Sequence, residues 1–292
     1  MKSYGKVIGL IVSVSVLVAI GIIIILMLIH LALQNMHGGQ VKIDKMMDNE
    51  WSFDIAGFVQ EFITISIVLL FWTKVNKRKI SEIGLRDDKF KSNFLKGVAL
   101  GLLAMTVIFL VLLSLGAIHV TSGNSDIIKI VVGFILMFFV GFTEEFMFRG
   151  YILQTLLENR PKWEAIIVSS LIFGAIHISN DNANTIGIIN VMLGGLLFSL
   201  MYIKTGSIWL GVGFHFMWDF AISYLYGFAD SGNVTSGFLK SIPVKAQQLF
   251  NGGAFGAEGG LVFSLGVLTL IIYFLRKNKK TCVLKNTKIR IL

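Results

Sequence analysis

The chain has 292 residues, of which 55% are hydrophobic and only 15% charged, and its mean hydropathy is +0.77. Soluble domains carry about 25% charged residues, so water is excluded as the main solvent, and disordered, collagen-like and disulfide-scaffold classes fall with it. The net charge of +9 suggests nucleic acid only if position is ignored, because basic residues of a membrane protein gather in cytoplasmic loops.

Cys282 is the only cysteine, so no internal disulfide supports the fold. Pro161 and Pro243 are the only prolines. Few helix breakers in so apolar a chain point to helices rather than a barrel, whose strands would alternate polar and apolar residues.

A bilayer-crossing helix needs about twenty apolar residues. Eight candidate spans follow in chain order: 7–33, 57–73, 94–118, 127–148, 164–178, 183–203, 206–226 and 258–275. The first follows Lys2 and Lys6 like a signal peptide, but it is long and ends without a small-residue cleavage site, so it reads as an uncleaved anchor. The fifth is short, and the fourth can continue through the apolar Tyr151–Leu157.

With the N-terminus inside, the inner segments carry twenty Lys and Arg. These include Lys74 to Lys91, Arg149 to Lys162, Lys204, and a tail from Arg276 to Arg290. The outer loops hold four: Lys42, Lys45, Lys240 and Lys245. That asymmetry predicts both termini in the cytoplasm and an even number of spans. The basic tail matches an anionic leaflet better than nucleic acid, so membrane lipid is an expected partner and nucleic acid is not.

No repeat or linker divides the chain, which reads as one integral membrane domain over 1–292. The stretch from Phe238 to Phe250 in the long outer loop is expected to lie on the membrane surface. Gly97, Gly101 and the Gly-rich 252–260 region suit close helix packing or turns.

Ionisable residues inside spans are functional hypotheses by default. Glu61, Lys96, Lys129 and Glu164 sit near span ends and can reach the headgroups. Six residues in three spans remain: Glu144, Glu145 and Arg149, then His177, then His215 and Asp219. At about 100° per residue, Glu145 and Arg149 share a helix face and can pair, whereas Glu144 points elsewhere and is free to take a proton. Two carboxylates in different surroundings suggest a working base beside a structural partner. His215 and Asp219 are also four apart, and Phe173 lies one turn before His177.

Depth decides how far the fourth helix runs. If it reaches residue 158, a rise of 1.5 Å per residue puts Glu144 roughly 20 Å from the inner surface, His177 about 22 Å and His215 about 15 Å. Only that extended helix brings the groups to similar depth, and it is the expected form. A lone histidine or an isolated Glu–Arg pair would read as packing. Six such groups in otherwise apolar spans read as one shared site. The 24 Phe and 5 Trp read as packing residues and interface anchors.

Thr143-Glu144-Glu145-Phe146-Met147-Phe148-Arg149-Gly150 resembles the Glu-Glu-x-x-x-Arg motif of the CPBP family, the CAAX proteases and bacteriocin-processing enzymes also called Abi. Phe173-x-x-x-His177 is similar to its second motif and His215-x-x-x-Asp219 to its third. The likeness covers residues 127–226, the expected catalytic core. It implies an all-α, polytopic membrane bundle of about eight helices, as in the Ras-converting endopeptidase of this family.

The resemblance further implies a protease acting on a membrane-associated peptide or protein. Glu144 would be the base, His177 would help hold the water, and His215 would stabilise the oxyanion. Glu145 and Arg149 would support them. Asp219 stands where the prenyl-protein endopeptidases carry Asn, and an oxyanion role needs a donor that an ionised Asp lacks.

No His-Glu-x-x-His helix occurs, although Glu144, His177 and His215 have the two-His, one-carboxylate composition of a zinc site. A metal-free glutamate site is the expectation, with zinc the alternative. A non-catalytic regulator or bacteriocin-immunity protein retaining the motifs is a second functional reading. An ion-coupled transporter is a third, disfavoured because neither inverted repeats nor Pro-broken helices are evident. The Ile- and Lys-rich composition suggests a bacterial plasma membrane.

Overall fold

A computed structural model describes residues 2–37, 50–123, 126–234 and 237–278. The chain divides after Ile80 into two compact units. In the first, α1 (Lys2–His37) packs against α2 (Glu50–Leu70), which ends in a π-helical turn, Phe71–Val75. Ile8, Val12, Val16 and Ile20 of α1 lie exposed. Such a surface is stable only against lipid, where apolar exposure costs nothing and every backbone group is bonded within the helix.

The second unit carries the polar residues. It contains α3 (Phe90–Ser114), α4 (from Ile127), α5 (Lys162–Ile176), α6 (Thr185–Thr205), α7 (Trp209–Phe220) and α8 (Leu261–Asn278). Asp126 caps α4 by accepting from the backbone of Ile128 and Lys129, and Asn184 caps α6 at Gly187. α7 is central, packed by α3, α4 and α6. Its approach to α3 is close because side chains are missing there. A Cβ on Gly97 would lie 2.3 Å from the Leu210 carbonyl oxygen, and one on Gly101 2.5 Å from that of Phe214. Those glycines therefore serve close packing, as read from the sequence.

Among the described residues, five helices are long and apolar enough to cross a membrane: Lys2–Leu31, Asp54–Val75, Phe90–Ser114, Ile127–Leu157 and Thr185–Thr205. Leu261–Arg276 is apolar but shorter. α5 and α7 occupy the fifth and seventh predicted spans, yet have only 15 and 12 α-helical residues. The chain is thus a helical membrane protein. α4 does run on to Leu157, first as α-helix to Glu145, then as a π-helical stretch over Phe146–Leu153, then as a last α-turn.

The helical bundle is joined by one short strand pair: β1 (Ile118–Ser122) and β2 (Leu239–Pro243) run antiparallel, with Ile118 opposite Pro243 and Ser122 opposite Leu239. The third helix ends at Ser114, short of residue 118, and Gly116 turns the chain with φ +61°. Pairing satisfies backbone groups that neither segment could satisfy alone.

Candidate active site

α4 and α7 cross where small residues let them touch. A Cβ on Gly141 would sit 2.8 Å from the Phe216 nitrogen, and one on Gly211 2.6 Å from Oε2 of Glu145. The absent side chain at Gly211 is the space that the Glu145 carboxylate fills. One turn along α7, His215 then faces α4.

Three carboxylates surround this imidazole. Glu145 Oε1 lies 3.3 Å from Nδ1, Glu144 Oε2 is 3.7 Å from Nε2, and Asp219 Oδ2 is 3.6 Å from Nε2. None of these approaches is an aligned hydrogen bond, and both Glu144 Oε2 and His215 Nδ1 lack a hydrogen-bond partner. The ring is therefore close to its polar neighbours without being oriented by them.

The two adjacent glutamates live in different surroundings. Glu145 has 1% of its side chain exposed and receives a 2.8 Å hydrogen bond from Arg149 Nη1, whose own side chain is fully buried. Arg149 Nη2 donates to the Gly195 carbonyl on α6 at 2.9 Å. The guanidinium carbon also lies 4.6 Å from the Phe173 ring centre and 4.9 Å from that of Phe198. Charge, hydrogen bonds and aromatic faces together compensate a buried cation. Glu144 keeps 24% of its side chain exposed.

His177 ends α5, and its Nδ1 lies 2.8 Å from the Phe173 carbonyl oxygen. A carbonyl only accepts, so in the neutral ring the hydrogen is assigned to Nδ1 and Nε2 keeps a lone pair. The His177 ring is 5.1 Å from Phe173, which is itself 6.1 Å from His215. The arrangement thus joins Glu144, Glu145, Arg149, His215 and Asp219 directly, and reaches His177 through Phe173. Among the described residues no three His, Cys, Asp or Glu side chains converge as a metal site.

Several supporting groups were not read from the sequence. Phe198, Gly195 and Gly211 act through helix-to-helix contacts that no local spacing signals. Beyond α7, Glu258 accepts from Trp218 Nε1 and from the backbone and hydroxyl of Ser231, and its carbonyl accepts from Asn190. Ser223 Oγ donates to Asp230 Oδ2 at 3.2 Å. Burial pushes the half-buried Asp230 carboxyl well above the usual carboxylate range, and the Glu258 charge acts in the same direction.

Residues 125–221 match the family of Rce1-like type II CAAX prenyl endopeptidases. All six polar residues singled out above fall inside the matched segment, whereas Asp230 and Glu258 lie beyond it. No curated protein matches the chain.

Proposed function

We propose that the chain is an intramembrane endopeptidase that hydrolyses a peptide bond of a membrane-associated peptide or protein, with water activated by Glu144. The carrying observation is the contrast at Glu144 and Glu145: one carboxylate is committed to Arg149, and its neighbour has an unbonded oxygen 3.7 Å from His215.

Peptide hydrolysis needs a base for water, a donor for the developing oxyanion and an acid for the leaving amine. Glu144 removes a proton from water as its oxygen attacks the scissile carbonyl carbon. His177 accepts from that water through Nε2, the nitrogen left free by the Phe173 contact. In the tautomer with hydrogen on Nε2, His215 donates to the carbonyl oxygen as it becomes negative. When the C–N bond breaks, Glu144 returns its proton to the leaving amine, which leaves a carboxylic acid product and a free enzyme base. Glu145 and Arg149 hold the floor of the site, and Asp219 accepts rather than donates beside His215. No step is assigned to a metal.

The charge asymmetry of the sequence supports cytoplasmic termini and an even span count, its apolar segments support eight spans, and its Ile- and Lys-rich composition supports a bacterial plasma membrane. The decisive experiment compares peptides released from membranes containing the wild-type chain with those from membranes containing Glu144→Gln. A farnesylated peptide ending in a Cys-aliphatic-aliphatic-X sequence is the first defined probe. Products that appear only with wild type support the endopeptidase. Identical peptide profiles, with Glu144→Ala still complementing a loss-of-function phenotype, would favour a regulator that keeps the motifs as scaffold.

A further inference from the structure

α6 carries none of the six polar residues, yet one of its faces touches two of them. The Gly195 carbonyl accepts from Arg149, and three residues on, the Phe198 ring lies 4.6 Å from the His215 imidazole at an interplanar angle of 26°. Residues three apart share a helix face. The same ring is 4.9 Å from the Arg149 guanidinium carbon. Phe198 is itself buried, held edge-on by Phe214 at 5.8 Å and by Phe173 at 6.3 Å.

Hydrogen bonds do not set the plane of His215, since Nδ1 has no aligned partner and Nε2 is 3.6–3.7 Å from its carboxylate neighbours. Rotation about the Cβ–Cγ bond is a soft, broad torsion unless something restrains it. An offset aromatic stack supplies that restraint.

We propose that Phe198 is a positioning residue: its ring fixes the plane of the His215 imidazole and, with the Gly195 carbonyl, ties that plane to the Arg149–Glu145 pair. The catalytic part rests on the endopeptidase reading above. The restraint on the ring stands independently of it.

The test uses the full chain in detergent with isotope-labelled histidine. The His215 signal is identified by its loss in His215→Gln. Stacking on Phe198 places the His215 Hε1 resonance at a ring-current-shifted position. Phe198→Leu should move it towards the exposed His119 signal, and Phe198→Tyr should keep it shifted. Both variants should remain folded, with Phe198→Leu melting somewhat lower because it gives up the aromatic face against Arg149. With the farnesylated probe, Phe198→Leu should lose about 10²-fold in kcat, the scale of a misplaced reacting group. Its KM should be nearly unchanged, and Phe198→Tyr should restore turnover.

A His215 signal that ignores Phe198→Leu overturns the proposal. So does a Leu variant with full kcat, or a well-folded Tyr variant with a shifted signal and no recovery. If the wild type cleaves no peptide while the resonance moves as expected, the positional restraint stands and the endopeptidase reading fails.

Discussion

Arg149 reaches back one turn to Glu145 and bonds it at 2.8 Å with both side chains withdrawn from solvent. Glu144, the very next carboxylate, stays outside this pair. Replacing Glu144 by Gln strands no charge, so folding should hold while turnover falls by the roughly 10²–10⁴-fold typical of a lost general base. Replacing Glu145 by Gln leaves the guanidinium unpaired, a defect on the order of 3–5 kcal/mol for a buried pair. That variant should lose thermal stability along with activity, and adding Arg149→Gln should recover part of the stability alone. Melting temperature and peptide cleavage across the three variants check this. A fully active Glu144→Gln, or one that unfolds while Glu145→Gln stays stable, reverses the assignment.

Gly211 is predicted to be intolerant of a methyl group. In a helix interior Gly→Ala ordinarily stabilises by up to about 1 kcal/mol. Here the new Cβ would lie 2.6 Å from Oε2 of Glu145 and 3.2 Å from its Cδ, so the ion pair must shift. Gly194→Ala is the control, because its Cβ would meet nothing closer than Phe198 at 4.0 Å. Gly211→Ala should therefore lose activity and melt lower, with Gly194→Ala at or above wild type. Equal melting and activity for the two would refute the packing argument.

Asp230 gives a pH dependence. Its carboxyl is raised in the folded state, so on titrating upwards the unfolded chain ionises first, near the ordinary value of about 3.9. Between that value and the raised one, folding loses stability as pH rises, and at pH below about 3.9 both states are protonated and nothing is lost. Asp230→Asn should accordingly gain melting temperature over wild type as pH is increased, with no advantage at the acidic end. A gain confined to acidic pH would contradict the sign.

Chelation bears on the chemistry. The sequence has no His-Glu-x-x-His helix, and Arg149, a cation, sits beside Glu145 at 2.8 Å. Peptide cleavage is expected to survive exhaustive chelation, with purified protein lacking stoichiometric zinc. Zinc that binds one-to-one and disappears in a His177→Ala, His215→Ala double variant would require a different arrangement of these side chains.

Topology is accessible by cysteine labelling after Cys282 is changed to Ser. Ile80 and Lys240 are both exposed on the protein surface. A cysteine at 240 should react with an impermeant reagent from outside, and one at 80 only after permeabilisation. The opposite pattern would invert the orientation inferred from charge.

The sequence alone determined the solvent, because apolar length is a local property that a bilayer reads one segment at a time. It also exposed the six ionisable residues, since a charge inside an apolar run is conspicuous wherever the helix finally packs. The Glu145–Arg149 spacing was legible for the same reason, being set within one helix. The tertiary structure decided the rest. That Glu144 and Glu145 both face the His215 imidazole, beside the Asp219 of its own helix, depends on how α4 crosses α7 at Gly141 and Gly211. Phe198 is one phenylalanine among 24 in the chain, and only the docking of α6 against α7 and α4 sets it against His215 and Arg149. The pairing of Ile118–Ser122 with Leu239–Pro243 joins segments more than a hundred residues apart, and Glu258 meets Trp218 and Ser231 only once that loop has folded back. Periodicity reports what each helix faces, apolar or polar; it is the close contact between helices, governed by small residues at particular crossings, that selects which partner stands there.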